Sequence, residues 1–256
     1  MIVLKKPPEA QLMRDCGRAA AAAMVRMADS LRPGITTAEI DVIGEEVLSE
    51  YGAIPSFKGY RGYPAAVCIS VNEEVVHGIP SGRMLKEGDI VSLDIGAFKN
   101  GFHTDHAWTF PVGEISTEAK RLLSISRESL NQGIAQAKPG RRIGDISHTI
   151  QSYVERNGYS VVRDLTGHGI GRDLHEDPSV PNFGKLGTGP SLRAGMTFCI
   201  EPMVCVGRHR VNTLDDHWTV VTADGSLSAH FEHTILVTEN GPEILTQWDQ
   251  EGGADA

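Results

Sequence analysis

The chain repeats its own pattern, and that duplication limits its folds more than any other feature. Met13, Cys16, Ala20, Met24, Met27 and Leu31 recur at helical spacing from about Pro8 to Leu31, and Pro33-Gly34 ends the run. Thr36 and Glu39 have the spacing of a capping box, and Ile40, Ile43, Val47 and Tyr51 carry a second helix that Gly52 terminates. The order returns 106 residues later: a helix from about Thr117 to Ala137 with Leu122, Leu123, Leu130 and Ile134, a break at Pro139-Gly140, then Ile143, Ile146, Ile150 and Val154 up to Asn157-Gly158. Next, Lys86 to Asp94 matches Arg193 to Glu201 at an offset of 107. Each is a basic residue, a glycine two positions on, and an apolar strand bearing a carboxylate. Thr104-Asp105-His106 matches Phe231-Glu232-His233 at 127, so the second copy holds a longer connection. Four matches in one order predict two helix–helix–strand halves, about residues 8–113 and 114–246, sharing one antiparallel sheet core covered by helices. The expectation is a single α+β domain over residues 1–256, with 1–7 and 250–256 mobile.

Composition narrows the partners. With 40% hydrophobic and 22% charged residues in 256, the chain is globular rather than disordered or fibrous, and 28 glycines argue against an all-helical protein. A formal charge of −9 disfavours a nucleic-acid backbone or an anionic membrane as the main partner. No apolar run approaches the ~20 residues of a spanning helix, and Met1-Ile2-Val3-Leu4-Lys5-Lys6-Pro7-Pro8 has no secretory apolar core, so a cytoplasmic, soluble protein is expected. Cys16, Cys68, Cys199 and Cys205 form no CxxC pair and read as buried reduced thiols.

The strand pairs carry the chemistry. Ile90 to Phe98 and Phe102 to Val112 flank Asn100-Gly101, a favoured two-residue hairpin turn. Lys99 then faces Phe102, and Asp105 faces Gly96, so Asp94 and Asp105 share one sheet face as diagonal neighbours, roughly 7–8 Å apart along the backbone. The repeat places Glu201 and Glu232 in the matching positions of the second half. Four acids converging on one axis repel one another unless cations separate them. Oxygen-rich sites with an imidazole suit divalent metals, and bridging carboxylates suit a pair of them. His168, between Gly167 and Gly169, is the candidate imidazole, and His77 and His175 are similar loop histidines. Taken singly, each of the three is more often a surface or hydrogen-bonded structural residue than a functional one.

Together these segments resemble the type I methionine aminopeptidases of the pita-bread fold, shared with prolidases, aminopeptidase P and creatinase. The resemblance rests on Tyr60-Arg61-Gly62-Tyr63-Pro64, Val67 to Asn72, His77-Gly78-Ile79-Pro80, Gly101 to Asp105, Gly167 to Gly171, Gly195 to Phe198, Ile200-Glu201-Pro202 and Glu232-His233-Thr234, spread over residues 5–246. The 33 residues from His168 to Glu201 leave no room for the helical insertion of the type II enzymes. The resemblance implies removal of the N-terminal methionine from peptides and nascent chains, with a metal-bridging hydroxide attacking the first peptide carbonyl. It implies Asp94, Asp105, His168, Glu201 and Glu232 as ligands of two divalent ions, Asp105 and Glu232 bridging them. Glu201 is then the proton shuttle, His175 the oxyanion stabiliser, and His77 a contact near the scissile bond. Phe57, Tyr60, Tyr63, Cys68, Leu174 and Trp218 form the methionine pocket. The ions are cobalt, manganese, iron, nickel or zinc, and one imidazole against four carboxylates favours the harder ones. A monomer touching the ribosome transiently, with no membrane and no specific nucleic acid, completes the expectation.

Three positions depart from the family pattern. Leu174 stands where many relatives have an aromatic, Phe57 where some have cysteine, and Gly96 where a small polar residue is common. His106 beside Asp105 is also unusual. On an alternating strand it points away from the acids, as does His233 beside Glu232, whereas His103 shares the face of Asp105 and is expected to support it by hydrogen bonding. Two other readings compete. One is an Xaa-Pro hydrolase of the same fold, whose members carry an extra N-terminal domain for which this chain is short. The other is a metal-free binding module, which the five intact ligand positions disfavour.

Overall fold

In a computed structural model, which describes residues 1–248, the four helical stripes become α1 (Pro7–Ser30), α2 (Thr37–Glu50), α3 (Thr117–Ala135) and α4 (Ile143–Arg156). The capping box at α2 is reciprocal: Glu39 N–H donates to Thr36 Oγ1 at 3.2 Å, and Thr36 N–H donates to the Glu39 carboxylate at 2.8 Å. A run of small residues on α1 (Ala19, Ala20, Ala23) lets this helix lie close over the central strands, with Met24 and Met27 filling the space beside them.

Among the described residues, nine strands form one antiparallel sheet. Its order is Ile54–Pro55, Ile90–Lys99, Phe102–Pro111, Glu232–Thr238, Thr197–Ile200, Thr166–Gly169, Glu176–Pro181. Val67–Val71 pairs with Ile90–Lys99, and Gly241–Ile244 with Glu232–Thr238. The Asn100-Gly101 hairpin has the expected register, Lys99 opposite Phe102 and Gly96 opposite Asp105. Period-two alternation then sorts the faces. Val91, Leu93, Ile95 and Ala97 join the core under the helices, whereas Asp94 and Asp105 line a cavity on the opposite face.

The two halves meet at Phe102–Pro111 and Glu232–Thr238, where His106 lies directly opposite His233. Those two residues are separated by the same 127 positions as Asp105 and Glu232, so the pseudo-twofold axis runs between them. Their rings stack at 4.8 Å and 8° on the helix side, beside Trp108, as the alternation predicts. Threonine hydroxyls clamp the seam from both sides. Thr234 Oγ1 accepts from Asp105 N–H and donates to Asp105 C=O, both at 2.8 Å, and Thr109 Oγ1 does the same for His230 at 2.9 and 2.8 Å.

The duplication is not exact in register. Ile200 pairs with His233, so continuing the ladder sets Glu201 directly opposite Glu232, whereas Asp94 lies opposite Ala107 and diagonal to Asp105. A slip of two residues keeps every acid on the same face. The longer second connection builds two three-stranded sheets, and Val220–Thr222 crosses to pair with Glu74–Val76 of the first half. The leading residues, expected to be mobile, are tied down: Lys5 is buried, its Nζ 2.5 Å from Glu176 Oε2, and its N–H donates to Gly195 C=O. Residues 250–256 lie outside the described part. All four cysteines are buried and free.

Candidate dinuclear metal centre and pocket

The thirteen residues singled out from the sequence line one cavity of about 190 Å³: Phe57, Tyr60, Tyr63, Cys68, His77, Asp94, Asp105, His168, Leu174, His175, Glu201, Trp218 and Glu232. Its floor is acidic. Acceptor atoms of Asp94, Asp105 and Glu232 lie within 4.8 Å of one another, as do ligand atoms of His168, Cys199 and Glu232. Glu201 Oε1 is 3.7 Å and Asp105 Oδ2 4.0 Å from His168 Nε2.

His168 sits on the short strand Thr166–Gly169 rather than in a loop, and its flanking glycines explain how. A Cβ on Gly167 would stand 2.4 Å from Cys199 O, and one on Gly169 2.1 Å from Asp177 O, so only glycine lets this strand press between its neighbours. His168 Nδ1 lies 3.0 Å from Gly169 O. A proton donated there leaves the Nε2 lone pair facing the acids.

Burial sets the electrostatics. It pushes the carboxyls of Asp94, Glu201 and Glu232 well above the ordinary range, the neighbouring acids adding to the effect, and lifts Asp105 to about 7. The same burial lowers His168 to about 3 and His77 to about 4, keeping both imidazoles neutral at pH 7. Asp94 Oδ1 and Glu232 Oε1 are buried without a hydrogen-bond partner. Orphaned carboxylate oxygens facing a neutral imidazole are a donor set for divalent ions, so these residues fit the metals that the sequence implies.

The walls are apolar and aromatic. Tyr63 donates its hydroxyl to Gly78 C=O at 2.9 Å and meets Trp218 edge-on at 5.1 Å. Trp218 is delivered by the longer second-half connection, and His77, held at φ 61°, approaches its ring from the other side at 6.2 Å. His175 stacks on Tyr60 at 5.3 Å, with Nδ1 2.9 Å from the Tyr60 hydroxyl, and its ring centroid lies 4.1 Å from that of His168.

A family model for metallopeptidase family M24 matches residues 11–239. The chain belongs to that family. Among its M24 relatives, Methionine aminopeptidase 1 of Bacillus subtilis is 54% identical over 96% of this chain and 100% of its own length. A methionine aminopeptidase of Clostridium perfringens is 57% identical over 96% and 99%. The crystal structure of methionine aminopeptidase from Thermotoga maritima superposes with a TM-score of 0.95 at 50% identity, covering 96% of this chain and all of the other. The fold is therefore the pita-bread α+β arrangement.

Gly96 is hemmed in by its neighbours. A Cβ there would lie 2.7 Å from both the Phe57 ring and Ser56 Cβ, so these two side chains occupy the space that a side chain at 96 would need. His103 behaves differently from its expectation: it shares the face of Asp105, yet its Nδ1 pairs with Ser56 Oγ at 2.9 Å rather than with an acid, because Ser56 lies closer across the sheet edge. Sequence reading missed Cys199, His230 and the two clamping threonines. His230 is two positions before Glu232, and alternation alone would have set it on the acidic face.

Proposed function

We propose that this M24 enzyme removes the N-terminal methionine of peptides and nascent chains, with two divalent ions held by Asp94, Asp105, His168, Glu201 and Glu232. One observation carries the reading: three buried acids, the half-buried Glu201 and a neutral imidazole form the floor of a small pocket whose walls are apolar. Bound there, divalent ions supply Lewis acidity and lower the pKa of a coordinated water. Asp105 and Glu232, on the two central strands at the pseudo-twofold axis, would be the residues placed to hold both ions.

The chain's own groups do the rest. Glu201, on the pocket floor beside His168, takes a proton from the attacking water and passes it to the leaving amine. If Tyr60 Oη–H donates to His175 Nδ1, Nε2–H of His175 is free to donate to the carbonyl oxygen as negative charge develops. His77 contacts the substrate beyond the methionine. Phe57, Tyr63, Cys68, Leu174 and Trp218 receive the unbranched thioether, for which polarizable apolar walls suffice, with Tyr60 at the His175 side. The substrate's α-amine points toward Asp94, which makes a free chain end a requirement.

The ions are manganese, iron, cobalt, nickel or zinc. The protein acts as a cytoplasmic monomer with transient ribosome contact. Among the described residues no helix is long and apolar enough to cross a membrane. Turnover of a Met-Ala-led peptide beside Met-Pro and Ala-Pro dipeptides, titrated with each divalent ion, tests the proposal. Methionine release that depends on added metal is expected. Preference for the Xaa-Pro bond would overturn it in favour of the prolidase-like reading.

A further inference from the structure

Glu201 has an imidazole at each of its two oxygens. His168 Nε2 is 3.7 Å from Oε1, and His230 Nε2 is 3.6 Å from Oε2. The likeness extends to the second acid: His168 Nε2 is 4.0 Å from Asp105 Oδ2, and His230 Nε2 is 4.0 Å from Glu232 Oε2. These separations are too long for hydrogen bonds. They match two donors sharing one ion, since ligand atoms each about 2.1 Å from a metal, at tetrahedral or wider angles, lie roughly 3.4–4 Å apart.

His230 is well placed for such a role. It is 2% exposed, and neither ring nitrogen has a hydrogen-bond partner. A buried imidazole with both nitrogens unsatisfied calls for a ligand or an ion. Its backbone is fixed on both sides by Thr109, so the ring is delivered from a rigid strand end, Ser228–His230, immediately before Glu232.

We propose that His230 is a sixth ligand of the metal centre, giving a nitrogen to the ion held by Glu201 and Glu232, so that this chain coordinates through two imidazoles rather than one. The inference rests on the ligand roles given above to His168, Glu201 and Glu232. A second imidazole makes the donor set softer, raising its preference for cobalt, nickel and zinc over manganese.

Proton NMR in water of the Co(II)-loaded enzyme tests it directly. Each coordinated imidazole contributes one solvent-exchangeable, hyperfine-shifted N–H signal, and carboxylates contribute none. Two such signals are expected, one lost in His168→Gln and the other in His230→Gln. A single signal that disappears in His168→Gln and persists in His230→Gln overturns the sixth ligand and leaves the five-residue set standing. No such signal in enzyme shown by calorimetry to bind Co(II) overturns both. The wild-type spectrum alone gives the count, so the result does not depend on either variant folding.

Discussion

Metal binding to this centre should expel protons. The metal-free cluster holds Asp94, Glu201 and Glu232 well above the usual carboxyl range and Asp105 at about 7, while His168 and His230 are both lowered to about 3. Coordination needs the acids ionised, so filling the site at pH 7 releases protons, all of them from carboxyls. Each released proton makes the apparent affinity rise about tenfold per pH unit, ~1.4 kcal/mol. The sign for stability runs the same way. Asp105 binds a proton in the folded metal-free chain up to about pH 7, but in the unfolded chain only up to the ordinary aspartate value of 3.8. Stability of the apo chain therefore falls as pH climbs through that window. The histidines act oppositely below pH 6.5 and offset part of that fall there. Calorimetric titration of apo enzyme at pH 7, in buffers of different ionisation enthalpy, measures the proton count as the slope of heat against buffer enthalpy. A slope of zero would refute the buried, mutually raised carboxyl cluster.

Four further outcomes follow from the same geometry. Glu201→Ala and His168→Ala should each abolish methionine release in steady-state assays while leaving the far-UV circular dichroism of the wild type, since both remove donors and not core packing. His175→Ala should lower kcat about 10²–10³-fold with little change in KM, as expected for a donor engaged mainly in the transition state; an unchanged kcat excludes that role. Lys5→Met strips the cation from a buried pair, and denaturant unfolding should show a loss near the lower end of about 3–5 kcal/mol, because Arg172 N–H and Asp173 N–H still donate to Glu176. Gly96→Thr should raise KM for methionyl peptides by displacing the Phe57 ring, and Phe57→Cys should restore it only in part in the double variant, since Ser56 Cβ still crowds position 96; additive effects would show that positions 57 and 96 do not compete for one space.

Much of this was legible because the signals were local. Helix boundaries came within two residues from Pro-Gly breaks and apolar spacing, and the Asn100-Gly101 turn fixed the register that pairs Gly96 with Asp105. What stayed hidden depended on long-range placement. His103 shares a face with Asp105, but the sequence could not show that Ser56, 47 residues earlier, would take its ring nitrogen. Lys5 looked like part of a frayed leader because its partner, Glu176, is 171 residues away. The two-residue slip between Glu201 and Glu232 was invisible for another reason: spacing of motifs along the chain preserves the face on which a residue lies but not the partner opposite it.

That slip has a counterpart in the flanking strands, and together they account for why a duplicated fold yields a one-sided site. In the first half the strand beside Asp94 is Val67–Val71, with Cys68 directly opposite the acid; in the second the corresponding neighbour is Thr166–Gly169, which presents His168. A buried thiol whose ionisation is pushed well up is a neutral pocket wall, whereas a neutral imidazole with a free Nε2 is a donor. The strand flanking the paired acids thus supplies a pocket wall in one half and a candidate ligand in the other. The aromatic groups follow that division: Tyr63 and Trp218 meet on the Cys68 side, and Tyr60 is committed to His175 beside His168. Two equal halves would bind ions but leave no separate place for the side chain being removed. Breaking the symmetry at one strand per half provides both, without disturbing the paired acids at the axis.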